Sequence, residues 1–282
     1  MTRDDAASGG VAIVAGSGMG ALADLLCARL VGKKTVAFEE IEGVGRCTVD
    51  GHVGEVSVGR YHAGEREGRR VAIVRGRRHT YEGGEQGMAP LMRWLAGIGT
   101  RDVIGISAAG SVNSSIHPGD LVAVREVIDL QNRDRVTPPF RPSGSAGRNA
   151  GRLVNESVSE RGAHHGPAAV SPRLTRALEA AAREAGVAMH RGSAASVAGP
   201  AYETPSEVST LQTMGVDVAT MSAAPEVQFA AEAGMEIAIV AAITNRCTGV
   251  GLERPDHARV LDAAGGMCGA LGRVVLQLIG IY

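Results

Sequence analysis

Val11–Ala15 is an unbroken apolar run that stops on Gly16-Ser17-Gly18-Met19-Gly20, and the chain repeats that design along its length. A short apolar run bounded by glycine or small polar residues reads as a strand buried on both faces. The amphipathic stretches between such runs read as helices. Strands are expected at Val11–Ala15, Gly54–Tyr61, Arg70–Arg75, Asp102–Ser107, Leu121–Ile128, Gly192–Ala198, Val216–Met221 and Ile237–Thr244. The second and third of these read as a hairpin. Helices are expected from the glycine cluster through Leu30, at Met88–Gly97, Arg173–Ala185, Pro205–Met214, Pro225–Ala233 and roughly Pro255–Ile279. Thr204 reads as an N-cap, with Pro205 at the first helical position and Glu207 completing a capping box. Strand and helix alternating over short connections predict an α/β fold, a single domain over 1–282 with a largely parallel sheet flanked by helices. The exception is Arg133–Gly166, whose Pro and Gly clusters lack periodicity and read as a long loop excursion.

Composition narrows the function class. With 29 basic and 30 acidic residues the net charge is -1, which excludes a broadly polycationic nucleic-acid binder. The hydrophobic share of 44% is enough for a sizeable core and excludes disorder. Cys27, Cys47, Cys247 and Cys268 form no C-x-x-C pair and read as reduced thiols. Met1–Gly10 is polar, and the longest apolar run, Ile237–Ile243, falls far short of the ~20 residues of a spanning helix. A cytoplasmic protein with neither membrane nor nucleic-acid partners is expected. Rings are scarce, with 1 Trp, 4 Tyr and 3 Phe, so a tyrosine inside a polar motif needs a reason.

In α/β folds ligands bind at the carboxyl ends of strands. Gly16-Ser17-Gly18-Met19-Gly20-Ala21 satisfies the loose dinucleotide pattern, with Glu39 or Glu40 about 20 residues on. The same glycine turn serves a single phosphate or a purely structural bend, and all three readings stand. Gly76–Gly83 carries Arg77, His79 and Tyr81 in alternation, so an extended chain would project them to one side. Ala108-Ala109-Gly110-Ser111 is a small-residue strand end that could offer backbone N–H groups. Val197–Thr204 brings Tyr202 for stacking and Glu203 as a carboxylate. Met221-Ser222 and Thr244-Asn245 end the next two strands. Each alone also reads as a turn, a cap or a solvated loop. Together they form a phosphate-binding set beside a set suited to a planar ring.

These segments resemble the trimeric purine nucleoside phosphorylases. The match runs in order through GSGMG at Gly16–Gly20, GRRHTYEG at Gly76–Gly83, AAGSVN at Ala108–Asn113 and PGD at Pro118–Asp120. It continues through AGPAYET at Ala198–Thr204, MGVDVATMSAAPEV at Met214–Val227 and ITN at Ile243–Asn245. The resemblance implies a mixed, largely parallel sheet with a distorted barrel-like core and a homotrimer. It implies a pentosyltransferase of purine salvage that cleaves 6-oxopurine (deoxy)ribonucleosides with phosphate, giving base and pentose 1-phosphate. Inorganic phosphate is then a co-substrate, with no cofactor and no metal. By similarity, Ser17, Arg77, His79, the Ala108 N–H and Ser222 hold phosphate. Tyr81, Met221 and His257 line the ribose, and Tyr202, Glu203 and Asn245 bind the purine. Asn245, Glu203 and His79 are the residues expected to carry catalysis.

The chain also departs from the family. An aromatic residue that reaches a neighbouring subunit's ribose site has no clear counterpart in Arg133–Gly166, where Phe140, His164 and His165 are the candidates. Asp129–Arg135 is closer to the methylthionucleoside branch, and Arg246 stands where the 6-oxopurine enzymes commonly carry Lys. A 5′-methylthioinosine or methylthioadenosine-type phosphorylase is therefore the alternative. A nucleoside hydrolase is a further one, disfavoured because water needs no anion cradle.

Overall fold

A computed structural model of the chain describes residues 9–62, 68–82, 88–131, 152–154, 169–251 and 256–281. The elements run β1 (Gly10–Ala15), α1 (Gly20–Cys27), β2 (Leu30–Ala37), β3 (Glu55–Tyr61), β4 (Arg69–Arg75), α2 (Met88–Gly97), β5 (Thr100–Ser111) and β6 (Leu121–Asp129). They continue as β7 (Arg152–Val154), α3 (Pro172–Glu184), β8 (His190–Ser196), α4 (Pro205–Thr213), β9 (Val218–Thr220), α5 (Ala223–Glu232), β10 (Glu236–Arg246) and α6 (His257–Ile281).

The sheet is organised around β5. One edge of β5 pairs with β10 from Asp102 to Ser111. The other edge is shared, with β1 along its lower part and β9 only at Gly110 and Ser111. Strand order β10-β6-β8-β9-β5, closed by the β10–β5 pairing, makes a barrel-like ring, and β1, β4, β3 and β2 extend from it as an open wing. The β3–β4 hairpin pairs in full register from Glu55↔Arg75 to Tyr61↔Arg69.

Strand alternation sorts the core into two layers. Val11, Ile13 and Ala15 of β1 pack with α1, α3 and α6, while Ala12 and Val14 face the α2 and α5 side. A side chain such as Ile13, fully buried, is worth about 1.5–3 kcal/mol over leaving it in water. The α6 helix is long and apolar enough to cross a membrane by length and composition, but half of that stretch is buried inside the protein. Its Leu271, Val274 and Val275 lie in the core with α1 and α3. The capping box at Thr204 forms as its sequence implies, with the Thr204 side chain accepting from the Glu207 N–H.

Three local expectations change. The first helix ends at Cys27 rather than Leu30, and Leu30–Ala37 is instead the edge strand β2. Its central residues are exposed and carry Lys33 and Lys34, so it has no buried face to mark it in the sequence. Lysines on an edge strand guard it against further pairing. The Ala108–Gly110 segment does not turn but remains inside β5, because β10 pairs with it through Ser111. Within the expected excursion 133–166, Arg152–Val154 forms β7 against β6. The rest of that stretch, with Phe140, His164 and His165, lies outside the described residues.

The glycine turn after β1 lies close under α6. Gly18 has φ 74, and a Cβ there would sit 2.5 Å from the Ala264 Cβ and 2.7 Å from the Leu261 carbonyl oxygen. Gly18→Ala is therefore expected to cost roughly 1–3 kcal/mol of stability. Thermal unfolding of the variant checks this, and a melting temperature equal to wild type would refute it.

Candidate active site

The shared edge of β5 leaves a gap. The Ile106 carbonyl accepts from the Gly16 N–H at 3.1 Å, the last bond on the β1 side. In a parallel ladder alternate residues point to the same edge, so the Ala108 N–H also points there. At that level β1 has ended and β9 has not begun. Around the gap lies a cavity of ≈ 410 Å³. It is lined by the residues that the resemblance assigned to phosphate, ribose and purine: Ser17, Arg77, His79, Tyr81, Ala108, Tyr202, Glu203, Met221, Ser222, Asn245 and His257.

Arg77 forms the floor and is 1% exposed. Its Nη2 donates to the carbonyls of Val14 at 3.2 Å and Ile106 at 2.6 Å. Its Nη1 donates to Ser107 Oγ at 2.8 Å and Ser222 Oγ at 2.7 Å, and lies 2.5 Å from Glu226 Oε1. Only the Nε–H lacks a partner among the described residues. Both amino groups are thus committed to the protein, and Arg77 acts on the cavity through its charge and through the hydroxyls it fixes. Ser107 and Ser222 lie 2.8 Å apart and share one hydrogen bond. Each already accepts from Arg77, so one hydroxyl proton of the pair remains for an anion. Glu226 is fully buried, and burial pushes its carboxyl up to about 7 against the pull of Arg77.

After Gly76 the chain leaves the extended form and turns at Thr80–Glu82. Arg77 therefore points inward, while His79 and Tyr81 stack with ring centroids 4.9 Å apart. His52 extends the stack, 5.2 Å from His79. The His52 Nδ1 is 2.7 Å from the Arg77 carbonyl oxygen and 3.4 Å from its N–H. The shorter contact is to an atom that can only accept, so Nδ1 carries the proton and Nε2 accepts from the Ser17 hydroxyl at 3.0 Å. Burial, with His79 and Arg77 nearby, pushes the imidazolium form of His52 down to about 3, so the ring is neutral. Glu82 accepts from the His79 N–H at 2.7 Å and lies 3.1 Å from its Nδ1, which leaves Nε2 as that ring's remaining polar atom. Burial pushes the Glu82 carboxyl up, but bonds from His79 and Thr48 outweigh it and hold the group at about 2.

The other end of the cavity is built differently. Gly199 has φ 67, and a Cβ there would lie 2.5 Å from Met221 Sδ and 3.0 Å from Tyr81 Cε1. The glycine lets Met221 and Tyr81 converge over the backbone that leads to Tyr202 and Glu203. Burial, with Glu207 nearby, raises the Glu203 carboxyl, while the Cys247 thiol donates to it. Burial and the Glu203 charge keep that thiol protonated. The β10–β5 register shifts between Ile243 and Asn245, and such an irregularity re-aims the side chain beyond it. The Asn245 amide is oriented by Thr244 Oγ1, which donates to its Oδ1 at 2.8 Å, and its Nδ2 lies 3.0 Å from the Arg246 carbonyl. His257, at the start of α6, closes the far rim with its Nε2 3.4 Å from the Asp50 carbonyl.

His52, Ser107, Glu82 and Glu226 were not among the residues read from the sequence. His52 sits in Asp-Gly-His-Val-Gly, which looks like a plain turn. Ser107 ends an apolar run, and the two glutamates sit where a helix-start dipole partner would.

A family model described as the phosphorylase superfamily matches residues 10–280. Purine nucleoside phosphorylase 1 of Geobacillus stearothermophilus is 31% identical over 254 residues, covering 89% of this chain and 84% of that protein. Purine nucleoside phosphorylase 1 of Bacillus subtilis is 28% identical over 274 residues, 96% of this chain and 92% of that one. Among solved structures, purine nucleoside phosphorylase of Schistosoma mansoni in complex with inosine matches with a TM-score of 0.76 at 27% identity, over 97% of this chain and 90% of that one. The same enzyme in complex with adenosine matches with a TM-score of 0.76 at 26% identity, over 99% and 93%.

The buried pair makes Glu226 a sensitive position. Glu226→Ala leaves the Arg77 charge unmatched and is expected to cost about 3–5 kcal/mol. Glu226→Gln, which keeps the shape and one acceptor, is expected to cost less. Denaturant unfolding of both variants decides, and equal small losses would show that the pair contributes nothing.

Proposed function

The chain belongs to the phosphorylase superfamily as a purine nucleoside phosphorylase, and from that premise we propose that it acts on 6-oxopurine (deoxy)ribonucleosides, inosine and guanosine. Inorganic phosphate is the co-substrate, and the products are the free base and (deoxy)ribose 1-phosphate. The observation that carries this reading is the single cavity in which an anion-binding end and a ring-binding end face each other. The same reading makes the protein a cytoplasmic homotrimer that needs no cofactor.

Cleavage of an N-glycosidic bond passes through a ribosyl group with oxocarbenium character. The departing purine gathers negative charge while phosphate waits below the sugar as nucleophile. Phosphate sits at the β5 gap, where Ala108 N–H and the Ser107–Ser222 pair donate to it, and Ser17 and His79 lie alongside. Arg77 supplies its positive charge from underneath. Tyr81 and Met221 pack against the ribose, and His257 takes the 5′-hydroxyl. Tyr202 covers the purine. Glu203 accepts from purine N1–H, and the Asn245 amide serves N7 and O6. As the bond breaks, charge grows on N7 and O6, so an N–H aimed there stabilises the transition state more than the ground state. Catalysis is positioning plus electrostatics, with phosphate as the attacking group.

The Asn245 amide can donate to a 6-oxo group, and an Asp at that position would instead accept from a 6-amino group. Asn245→Asp is expected to shift the ratio of kcat/KM for adenosine over inosine upward by at least about tenfold, the equivalent of ~1.4 kcal/mol. The measurement is a phosphate-dependent turnover panel of inosine, guanosine, adenosine and 5′-methylthioinosine. Equal losses on inosine and adenosine would refute the assignment of Asn245, and phosphate-independent cleavage would overturn the phosphorylase chemistry.

Glu203 must be ionised to accept from N1–H, and burial raises its carboxyl above the usual range. A raised acid protonates earlier as pH falls. The inosine KM should therefore climb on acidification, with a midpoint above the ordinary glutamate value of ~4.3. Glu203→Gln should lose that dependence. A wild-type KM flat down to the ordinary value would show that Glu203 does not meet the base.

A further inference from the structure

Gln131 follows β6 and is 6% exposed. Its side-chain amide has a full set of partners drawn from different parts of the sheet. The Nε2 donates to the Met221 carbonyl at 2.8 Å, to Ser196 Oγ at 3.0 Å and to the Val197 carbonyl at 3.1 Å. The Oε1 accepts from Thr80 Oγ1 at 3.0 Å. Two of the partners on the nitrogen side are carbonyls, which only accept, so the orientation of the amide is unambiguous. Its own backbone N–H is held by Asp129 Oδ1 at 3.1 Å, and the preceding Leu130 N–H by the Ser196 carbonyl at 2.9 Å.

The three segments that meet at this amide carry most of the candidate site. Thr80 stands between His79 and Tyr81. Val197 opens the segment that leads to Tyr202 and Glu203. Met221 lines the cavity itself and precedes Ser222. The sheet joins β8 to β9 directly, but β4 is separated from both by β1 and β5. No ladder bond therefore sets the spacing between the Tyr81 loop and the loops after β8 and β9. At the cavity floor Arg77 reaches Ser222, and at the level of Thr80, Val197 and Met221 the Gln131 amide spans the distance.

We propose that Gln131 is a positioning residue for the nucleoside, its one amide setting the spacing between the loop of His79 and Tyr81 and the loops of Tyr202–Glu203 and Met221–Ser222. The inference rests on the nucleoside reading above. A buried amide bonded to three loops loses little freedom when substrate arrives, because the loops are already held at their working separation. Its removal should let the ribose and base contacts drift apart, while phosphate, seated on β5 and Arg77, is less affected.

The test is steady-state phosphorolysis well below the melting temperature of each variant. Gln131→Met keeps the length and loses every hydrogen bond. It is expected to raise the inosine KM about tenfold, or ~1.4 kcal/mol, with the phosphate KM moving less than about twofold. Thr80→Val removes only the arm to the Tyr81 loop and is the milder variant if Gln131→Met folds poorly. It should raise the inosine KM about threefold, and in the Gln131→Met background it should add nothing, since coupled partners are not additive. A lower melting temperature with an unchanged nucleoside KM in both single variants overturns the proposal and leaves Gln131 a structural clamp. Additive effects of Thr80→Val and Gln131→Met overturn it as well. Wild-type turnover separates the two readings. If the wild type prefers another purine nucleoside, the 6-oxopurine reading alone falls and the same comparison is made on that nucleoside. If it turns over none, both fall.

Discussion

A guanidinium taken out of water costs several kcal/mol unless its charge and its N–H groups are matched, and Arg77 is 1% exposed. The groups that match it come from β1, β5, the turn after β9 and the first turn of α5: the carbonyls of Val14 and Ile106, the hydroxyls of Ser107 and Ser222, and the Glu226 carboxylate. Three parts of the chain distant in sequence, β1, β5 and the start of α5, must therefore arrive together for this one charge to be tolerated. Once they do, the strand ends that form the cavity floor have no freedom left to choose. The arginine is a structural requirement first, and its field at the cavity follows from meeting that requirement.

The second constraint is the edge of β5. A strand of 12 residues offers more backbone than either β1 or β9 can pair, and the two neighbours meet it at different heights. The unpaired stretch between them would be a liability in a core, since buried N–H groups need partners. Placed at the carboxyl ends of β1 and β4 it opens onto the cavity instead, where the proposed phosphate would meet it. The glycine turn after β1 and the turn after β9 both abut it, so backbone donors and small side chains crowd where a phosphate would lie. The other end of the cavity uses a different device. There the β10 register shift and the glycine at 199 bring side chains inward, and the polar atoms are carboxyl and amide groups rather than backbone.

Much of this was legible in the sequence because each strand stops on residues that a buried strand would not choose. Arg77, His79, Tyr81, Tyr202, Glu203, Ser222 and Asn245 stood out as polar or aromatic groups directly after apolar runs, and all of them line one cavity. What could not be read was how each is held. Arg77 was expected by similarity to hold phosphate, but its amino groups are spent on protein acceptors, and nothing in a one-dimensional pattern pairs it with Glu226. His52 and Gln131 sit in polar, turn-like stretches where their residue types are unremarkable. Their importance comes only from what folds over them. The edge strand β2 escaped for the opposite reason, because a strand with no buried face leaves no period in the sequence. Glycine spacing in the first motif fitted a dinucleotide as well as a single phosphate. The ambiguity ended only with the groups contributed by the other strand ends.

The charge state of the floor links these observations. Glu226, Ser107 and Ser222 all meet the same amino group of Arg77. Burial raises the Glu226 carboxyl against the pull of Arg77, and the two groups stay in direct contact beneath the cavity. Above the floor, His52 stays neutral and turns its lone pair to Ser17, and Glu82 draws its charge away from the cavity into bonds with Thr48 and His79. Burial and hydrogen bonding thus set the state of the titratable groups around Arg77: the His52 ring neutral and Glu82 ionised but bonded to Thr48 and His79. The Arg77 guanidinium lies beneath a gap bordered by N–H and O–H groups, the electrostatic arrangement that the proposed phosphorolysis calls for.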